Sequence, residues 1–183
     1  MPLPDGWDPA RASAAATPVA VRGEAYRAHL NSRDALNAQS YLYTEGRFNR
    51  GGPHLDPEEG WPALYLSSAP HIALGEYTRH LLDLSRLRDL RISRIYVELT
   101  SAANCLDLGA LGLTEKQLLE SSDDYTVGQA LAAASIDTGH EAIVVPTATR
   151  FQGYNLVVFT GHLHPGSSLR VLDYEEPQLY PRA

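Results

Sequence analysis

The chain has 183 residues, 44% of them hydrophobic and 20% charged, the usage of a globular domain rather than a disordered one. Its single cysteine, Cys105, excludes a disulfide framework and a cysteine-based zinc site. A formal charge of -7, with Lys116 the one lysine among 15 basic residues, argues against direct nucleic-acid binding, which needs a basic face.

Length sets the expectation of one domain with one core, burying about 70% of the unfolded chain's surface. Residues 1–20 mix Pro, Ala, Asp and Ser without a period and read as an irregular N-terminal arm; the folded domain is expected over 21–174, with an irregular tail over 175–183. The first residues lack the basic and apolar regions of a signal peptide, and no stretch reaches the 18 apolar residues of a membrane span, so a cytoplasmic protein without membrane contact is expected.

Residues 24–30 and 44–49 read as strands, followed by a loop over 50–60 long enough to be a binding loop or lid. Residues 63–67 form an apolar strand. Ser67, Ser68 and Pro70 then signal a helix over 70–84, with Ala73, Tyr77, His80, Leu81 and Leu84 on its apolar stripe. The alternation of Ile92, Ile95, Val97 and Leu99 predicts a strand, and 106–108 another. Thr114 and Gln117 fit a capping box opening a brief helix, and 126–137 is an Ala-rich helix stopped by Gly139. Strands are expected at 141–145, 155–159 and 169–173. Helices in the middle of a strand-rich chain, without βαβ alternation or repeats, predict an α+β fold with a mixed or antiparallel sheet core and flanking helices.

No dinucleotide fingerprint, P-loop or nucleophile elbow is present. Chemistry must come from polar residues at strand ends. Arg27 can point into a cleft or outward, the outward reading being the simpler for Arg27 alone, and Arg47, between Gly46 and Phe48, reads as either an anion clamp or half of a surface salt bridge. Tyr65, inside an apolar strand, needs a partner for its hydroxyl. Glu76 flanks the helix stripe, where a carboxylate must be paired with Arg79 or His80, solvated, or aimed into a cleft. A metal site built from Glu76, His80, His162 and His164 is the alternative those histidines offer.

In order, Tyr26-Arg27, Gly46-Arg47-Phe48-Asn49, Ala63-Leu64-Tyr65-Leu66-Ser67, Ala73-Leu74-Gly75-Glu76, Val144-Val145-Pro146-Thr147 and Asn155-Leu156-Val157 resemble the RES domain, the toxin of Xre–RES toxin–antitoxin modules, over residues 22–173. The resemblance implies a diphtheria-toxin-like ADP-ribosyltransferase fold and destruction of NAD by hydrolysis or phosphorolysis. NAD would be the substrate, with no separate cofactor and no metal. It carries the catalytic roles onto Arg27, Arg47, Tyr65 and Glu76, and substrate contacts onto Asn49, Ser67, Thr147 and Asn155 as well. An Xre-type antitoxin would cover the site. Phe48 departs from a common Trp, and Thr147 from a common Ser, which leaves the role of Thr147 open.

The residue types suit that chemistry. Arg27 and Arg47 can neutralise two phosphates, Tyr65 can pack on the nicotinamide or ribose, and Glu76 can stabilise an oxocarbenium-like ribose. Transfer of ADP-ribose to a macromolecule, metal-dependent hydrolysis and non-catalytic binding remain alternatives at this point.

Overall fold

The computed structural model describes residues 3–56, 59–79, 84–120 and 124–176. Six strands run β1 (Thr17–Leu30), β2 (Leu64–Ser67), β3 (Leu90–Asn104), β4 (Ala142–Pro146), β5 (Tyr154–Val158) and β6 (Ser168–Glu175), with helices α1 (Pro9–Ala15), α2 (Pro70–Thr78) and α3 (Thr126–Asp137). The order is β1-β2-β5-β4-β3-β6, and β1 also pairs with β3, so five strands close on themselves and β6 extends one side. Only β3 and β4 are parallel; the other pairings are antiparallel. The expected α+β fold with a mixed sheet is the observed one.

Closure depends on β3. One of its edges pairs with β1 from Leu90 to Asn104, while the other serves β6 at 92–98 and β4 at 102–104. The side-chain period of two then sorts the core. Ala142, Val144, Leu156 and Val158 face inward to join Leu64, Leu66, Ile95 and Val97. Ile143, Val145, Val157 and Phe159 face outward, under Leu131 and Ala132 of α3. Cys105 is fully buried in that outer layer, and its N–H donates to the Val144 carbonyl at 2.8 Å.

Several expectations are corrected. Residues 8–20 are not an irregular arm: the Asp8 carboxylate caps α1 by accepting from the Ala10 N–H, Pro9 opens the helix, and Ser13 is buried with its hydroxyl 2.9 Å from that of Thr138. Strand β1 then starts at Thr17 rather than at Glu24. Residues 44–49 form no strand, because the buried Asn49 amide donates to the Tyr41 and Thr44 carbonyls at 2.8 Å and folds the segment back on itself. Residues 106–108 lead into a turn instead of a strand, with Asn104 and Asp107 side chains accepting from the Leu106 and Ala110 N–H groups.

Pro70 opens α2 as expected, but no serine caps it. Ser68 accepts from the Tyr154 N–H instead. The described part of α2 ends at Thr78, and positions 80–83, with His80 and Leu81 of the expected stripe, lie outside the described residues, as do 177–183 of the expected tail. The capping box is present reciprocally: the Thr114 N–H donates to Gln117 Oε1 at 2.9 Å and the Gln117 N–H to Thr114 Oγ1 at 3.3 Å. It opens a short π-helical stretch, Lys116–Glu120. No helix among the described residues is long and apolar enough to cross a membrane.

Candidate active site

Strands β2 and β5 pair in the register Tyr65↔Val157 and Ser67↔Asn155. Because Leu64 and Leu66 point inward, the pleat turns Tyr65, Ser67, Val157 and Asn155 to the opposite face. That face is the floor of a cleft of about 420 Å³, walled by α2, β1 and the 45–49 loop. The volume lies within the range of small-molecule sites, about 300–1,000 Å³.

Glu76 enters from α2 and is fixed through one oxygen. Its Oε1 accepts from Thr147 Oγ1 at 2.7 Å, the Ala148 N–H at 2.8 Å and Asn155 Nδ2 at 2.7 Å. Asn155 is itself oriented, its Oδ1 accepting from Ser67 Oγ at 2.8 Å. The second oxygen, Oε2, faces Arg79 Nη1 at 3.4 Å. Burial pushes the Glu76 pKa upward, but the hydrogen bonds from Thr147, Asn155 and Ala148 and the charge of Arg79 outweigh it and hold the carboxyl below its ordinary value. The group is therefore an ionised carboxylate at neutral pH, oriented through one oxygen.

Opposite it, the 45–49 loop carries Arg47. Gly46 permits the turn, since a Cβ there would lie 2.1 Å from Asn49 Oδ1. The Tyr65 hydroxyl accepts from the Phe48 N–H and donates to Asn49 Oδ1, both at 3.0 Å. Burial raises the Tyr65 pKa, so the phenol stays protonated. Burial, and after it the nearby Arg79 cation, holds the Arg47 pKa below its ordinary value, while the guanidinium remains charged. Arg47 thus lines the cleft together with Glu76.

The eight residues that the resemblance marks gather in or beside this cleft, and most of them also brace the protein around it. Seven of the eight, all but Thr147, line the cavity, Arg47, Glu76 and the ring of Tyr65 among them. Asn49 is fully buried, and its amide and carbonyl hold Tyr41, Thr44 and Tyr65, so it pins the loop rather than offering a free group to a ligand. Thr147 and Asn155 each donate to Glu76, and Ser67 in turn donates to Asn155. Arg27 reaches the cleft wall, yet its guanidinium donates to the Ala35 and Asn37 carbonyls and lies 5.9 Å from the centre of the Tyr41 ring. Its hydrogen bonds thus tie β1 to the 35–41 segment.

Sequence reasoning did not bring out Tyr41 or Tyr125 as cleft residues, and it named Arg79 only as a surface partner of Glu76. A helical i, i+3 spacing marks Arg79, but nothing in local pattern marks the two tyrosines. The metal alternative finds no ligand set: among the described residues no group of three His, Cys, Asp or Glu is placed to hold an ion. His164 Nδ1 instead lies 2.9 Å from Glu141 Oε1, and Glu141 stands at the end of β4 opposite Thr147. His80 falls outside the described residues.

A family model described as the RES domain matches residues 24–179. A chain in the crystal structure of the M. tuberculosis MbcT-MbcA toxin-antitoxin complex is similar in fold, with a TM-score of 0.73 at 23% identity, over 92% of this chain and 91% of that one. No curated protein matches the sequence.

Proposed function

We propose that this chain, which belongs to the RES domain family, is the toxin of a toxin–antitoxin pair and cleaves the nicotinamide–ribose bond of NAD. The observation that carries the reading is the pairing, in one cleft, of a hydrogen-bonded but ionised carboxylate with an arginine: Glu76 and Arg47. The toxin assignment draws on the similarity in fold to a chain of a toxin–antitoxin complex. The reading includes the ADP-ribosyltransferase-like fold that the sequence resemblance implies.

In this reading the Arg47 guanidinium holds the pyrophosphate by charge-assisted hydrogen bonds. The Tyr65 ring, tilted against Tyr41 with centroids 5.4 Å apart, packs the nicotinamide riboside end. As the C–N bond breaks, its electron pair leaves with nicotinamide, which departs neutral and needs no proton. Positive charge grows on the ribosyl ring. The Glu76 carboxylate stabilises that charge and binds the 2′-hydroxyl through Oε2, once Arg79 has given way. Water then adds to C1 and loses a proton, giving ADP-ribose, or inorganic phosphate adds, giving ADP-ribose 1″-phosphate. A donor set aimed at Oε1 keeps the carboxylate from rotating, the preorganisation on which such electrostatic stabilisation depends.

The test is incubation of the pure protein with NAD. Nicotinamide with ADP-ribose marks hydrolysis, and the phosphorylated product formed only with phosphate marks phosphorolysis. Label transferred from NAD to macromolecules in extract would move the reading to ADP-ribosyl transfer. No loss of NAD under any of these conditions overturns it. Co-expression with an Xre-type antitoxin should restore growth and give a complex that does not turn NAD over.

A further inference from the structure

We propose that Gln129 and Gly128, in the first turns of α3, position Arg47 and thereby set how strongly the cleft holds the anionic part of its substrate; this rests on the NAD reading above. Gln129 Nε2 lies 3.1 Å from Glu45 Oε1, 3.0 Å from the Gly46 carbonyl and 3.2 Å from the Asn49 carbonyl. One amide therefore grips the loop on both sides of Arg47, its two N–H groups shared among three acceptors. Gly128 supplies the room. A Cβ at that position would lie 2.3 Å from the Arg47 carbonyl oxygen and 2.8 Å from Arg47 Cγ, so helix backbone and loop backbone are in direct contact and any larger residue must push them apart.

The platform itself is rigid. Leu131 and Ala132 of α3 are fully buried beneath β4 and β5, and the helix end is tied to α1 through Thr138 and Ser13. Tyr65 secures the other side of the same loop through the Phe48 N–H and Asn49. Arg47 is thus suspended between the sheet that carries the floor of the cleft and a helix that touches the loop. Substrate phosphate contacts depend on guanidinium placement, and a fork displaced by about 1 Å loses bidentate geometry. Gln129 is a positioning residue in this scheme, acting through Arg47.

Three variants and two readouts test it. Gln129→Ala should raise the KM for NAD by about tenfold with kcat nearly unchanged, the loss of one good hydrogen-bonding group. Gln129→Glu, which sets a second carboxylate against Glu45, should raise it further. In the double variant Gln129→Ala with Arg47→Lys, the two effects on KM should fall well short of multiplying, because both act on one guanidinium. Hydrogen exchange supplies the second readout: Gln129→Ala and Gly128→Ala should each speed exchange at the 46–49 amides while leaving the buried amides of α3 protected. A KM unchanged in Gln129→Ala, or effects that multiply fully in the double variant, would overturn the proposal. If the unaltered protein consumes no NAD, the functional reading fails, and exchange alone decides the positioning role: unchanged rates at 46–49 sink it.

Discussion

Strand β4 has a buried carboxylate contact at each end, and the two ends do different work. Past its C-terminal end, Thr147 and Ala148 hold Glu76 at the cleft; just before its N-terminal end stands Glu141, with no solvent exposure. Each glutamate is held through one oxygen. For Glu141, Oε1 accepts from the Thr100 N–H at 3.1 Å and Thr100 Oγ1 at 2.6 Å, and it lies 2.9 Å from His164 Nδ1. In both, burial pushes the pKa up and hydrogen bonds more than reverse it, from Ser167, Thr100 and His164 at Glu141. The difference lies in the second oxygen. Oε2 of Glu76 meets a cation at an open cavity, whereas Oε2 of Glu141 is buried with no hydrogen-bond partner among the described residues. A held carboxylate does chemistry only when its other oxygen can meet a ligand; sealed in, it can only hold β3, β4 and the 160–167 segment together.

The largest effect expected from breaking this contrast is at Glu76. Glu76→Gln keeps size and hydrogen bonding but removes the charge, so kcat should fall at least about a hundredfold, about 3 kcal/mol on the barrier, with little change in melting temperature. Glu141→Ala should do the reverse, leaving kcat per folded molecule intact while lowering stability by about 1–3 kcal/mol as Thr100 and His164 lose their acceptor. At about 2–4 °C per kcal/mol for a domain of this size, differential scanning calorimetry resolves that loss. Equal thermal losses in the two variants would erase the distinction.

Smaller changes sharpen it. Arg47→Lys loses the fork and should raise KM more than it lowers kcat; a lowered melting temperature with unaltered kinetics would make Arg47 structural. Thr147→Val removes one donor to Oε1 and should cut turnover by up to about tenfold, the worth of one charge-assisted hydrogen bond. Its second signature is in pH. With Glu76 held below its ordinary 4.5 in the free protein, the acid limb of kcat/KM should lie below that value, and Thr147→Val should move it upward. Glu141 gives the matching stability test. Its native pKa is depressed relative to the unfolded chain, so its contribution is complete above the unfolded value and lost as pH falls through the native one. Acid should therefore destabilise the unaltered protein more than Glu141→Gln.

The contrast also shows what a sequence displays and what it conceals. Helix α3 is legible to the residue, Thr126–Asp137, because an Ala-rich run before Gly139 carries a local signal. The capping box at Thr114 is equally local. The 44–49 segment looks like a strand until Asn49 finds the Tyr41 and Thr44 carbonyls and Tyr65, sixteen residues on, bonds it. The site residues are visible because their short motifs follow one another in the order of the family they resemble, yet which of them brace the others is set by contacts such as Asn155 to Glu76, 79 positions apart. Glu141 gives no warning at all. Its donors Thr100 and His164 sit 41 and 23 positions away, and nothing in the Gly-His-Glu-Ala-Ile run tells a sealed carboxylate from an exposed one.

The closure of the sheet through β3 has a practical corollary. Cys105 lies where β3 hands over to β4, fully buried, with its thiol pushed up to about 12 by burial. A thiol so protonated and enclosed is inert to alkylating agents and oxidants while the seam is shut. Labelling of the chain's one cysteine is therefore a clock for the layer between sheet and helices: its rate in native buffer counts the openings that uncover the Cys105 side chain beside the β3–β4 seam.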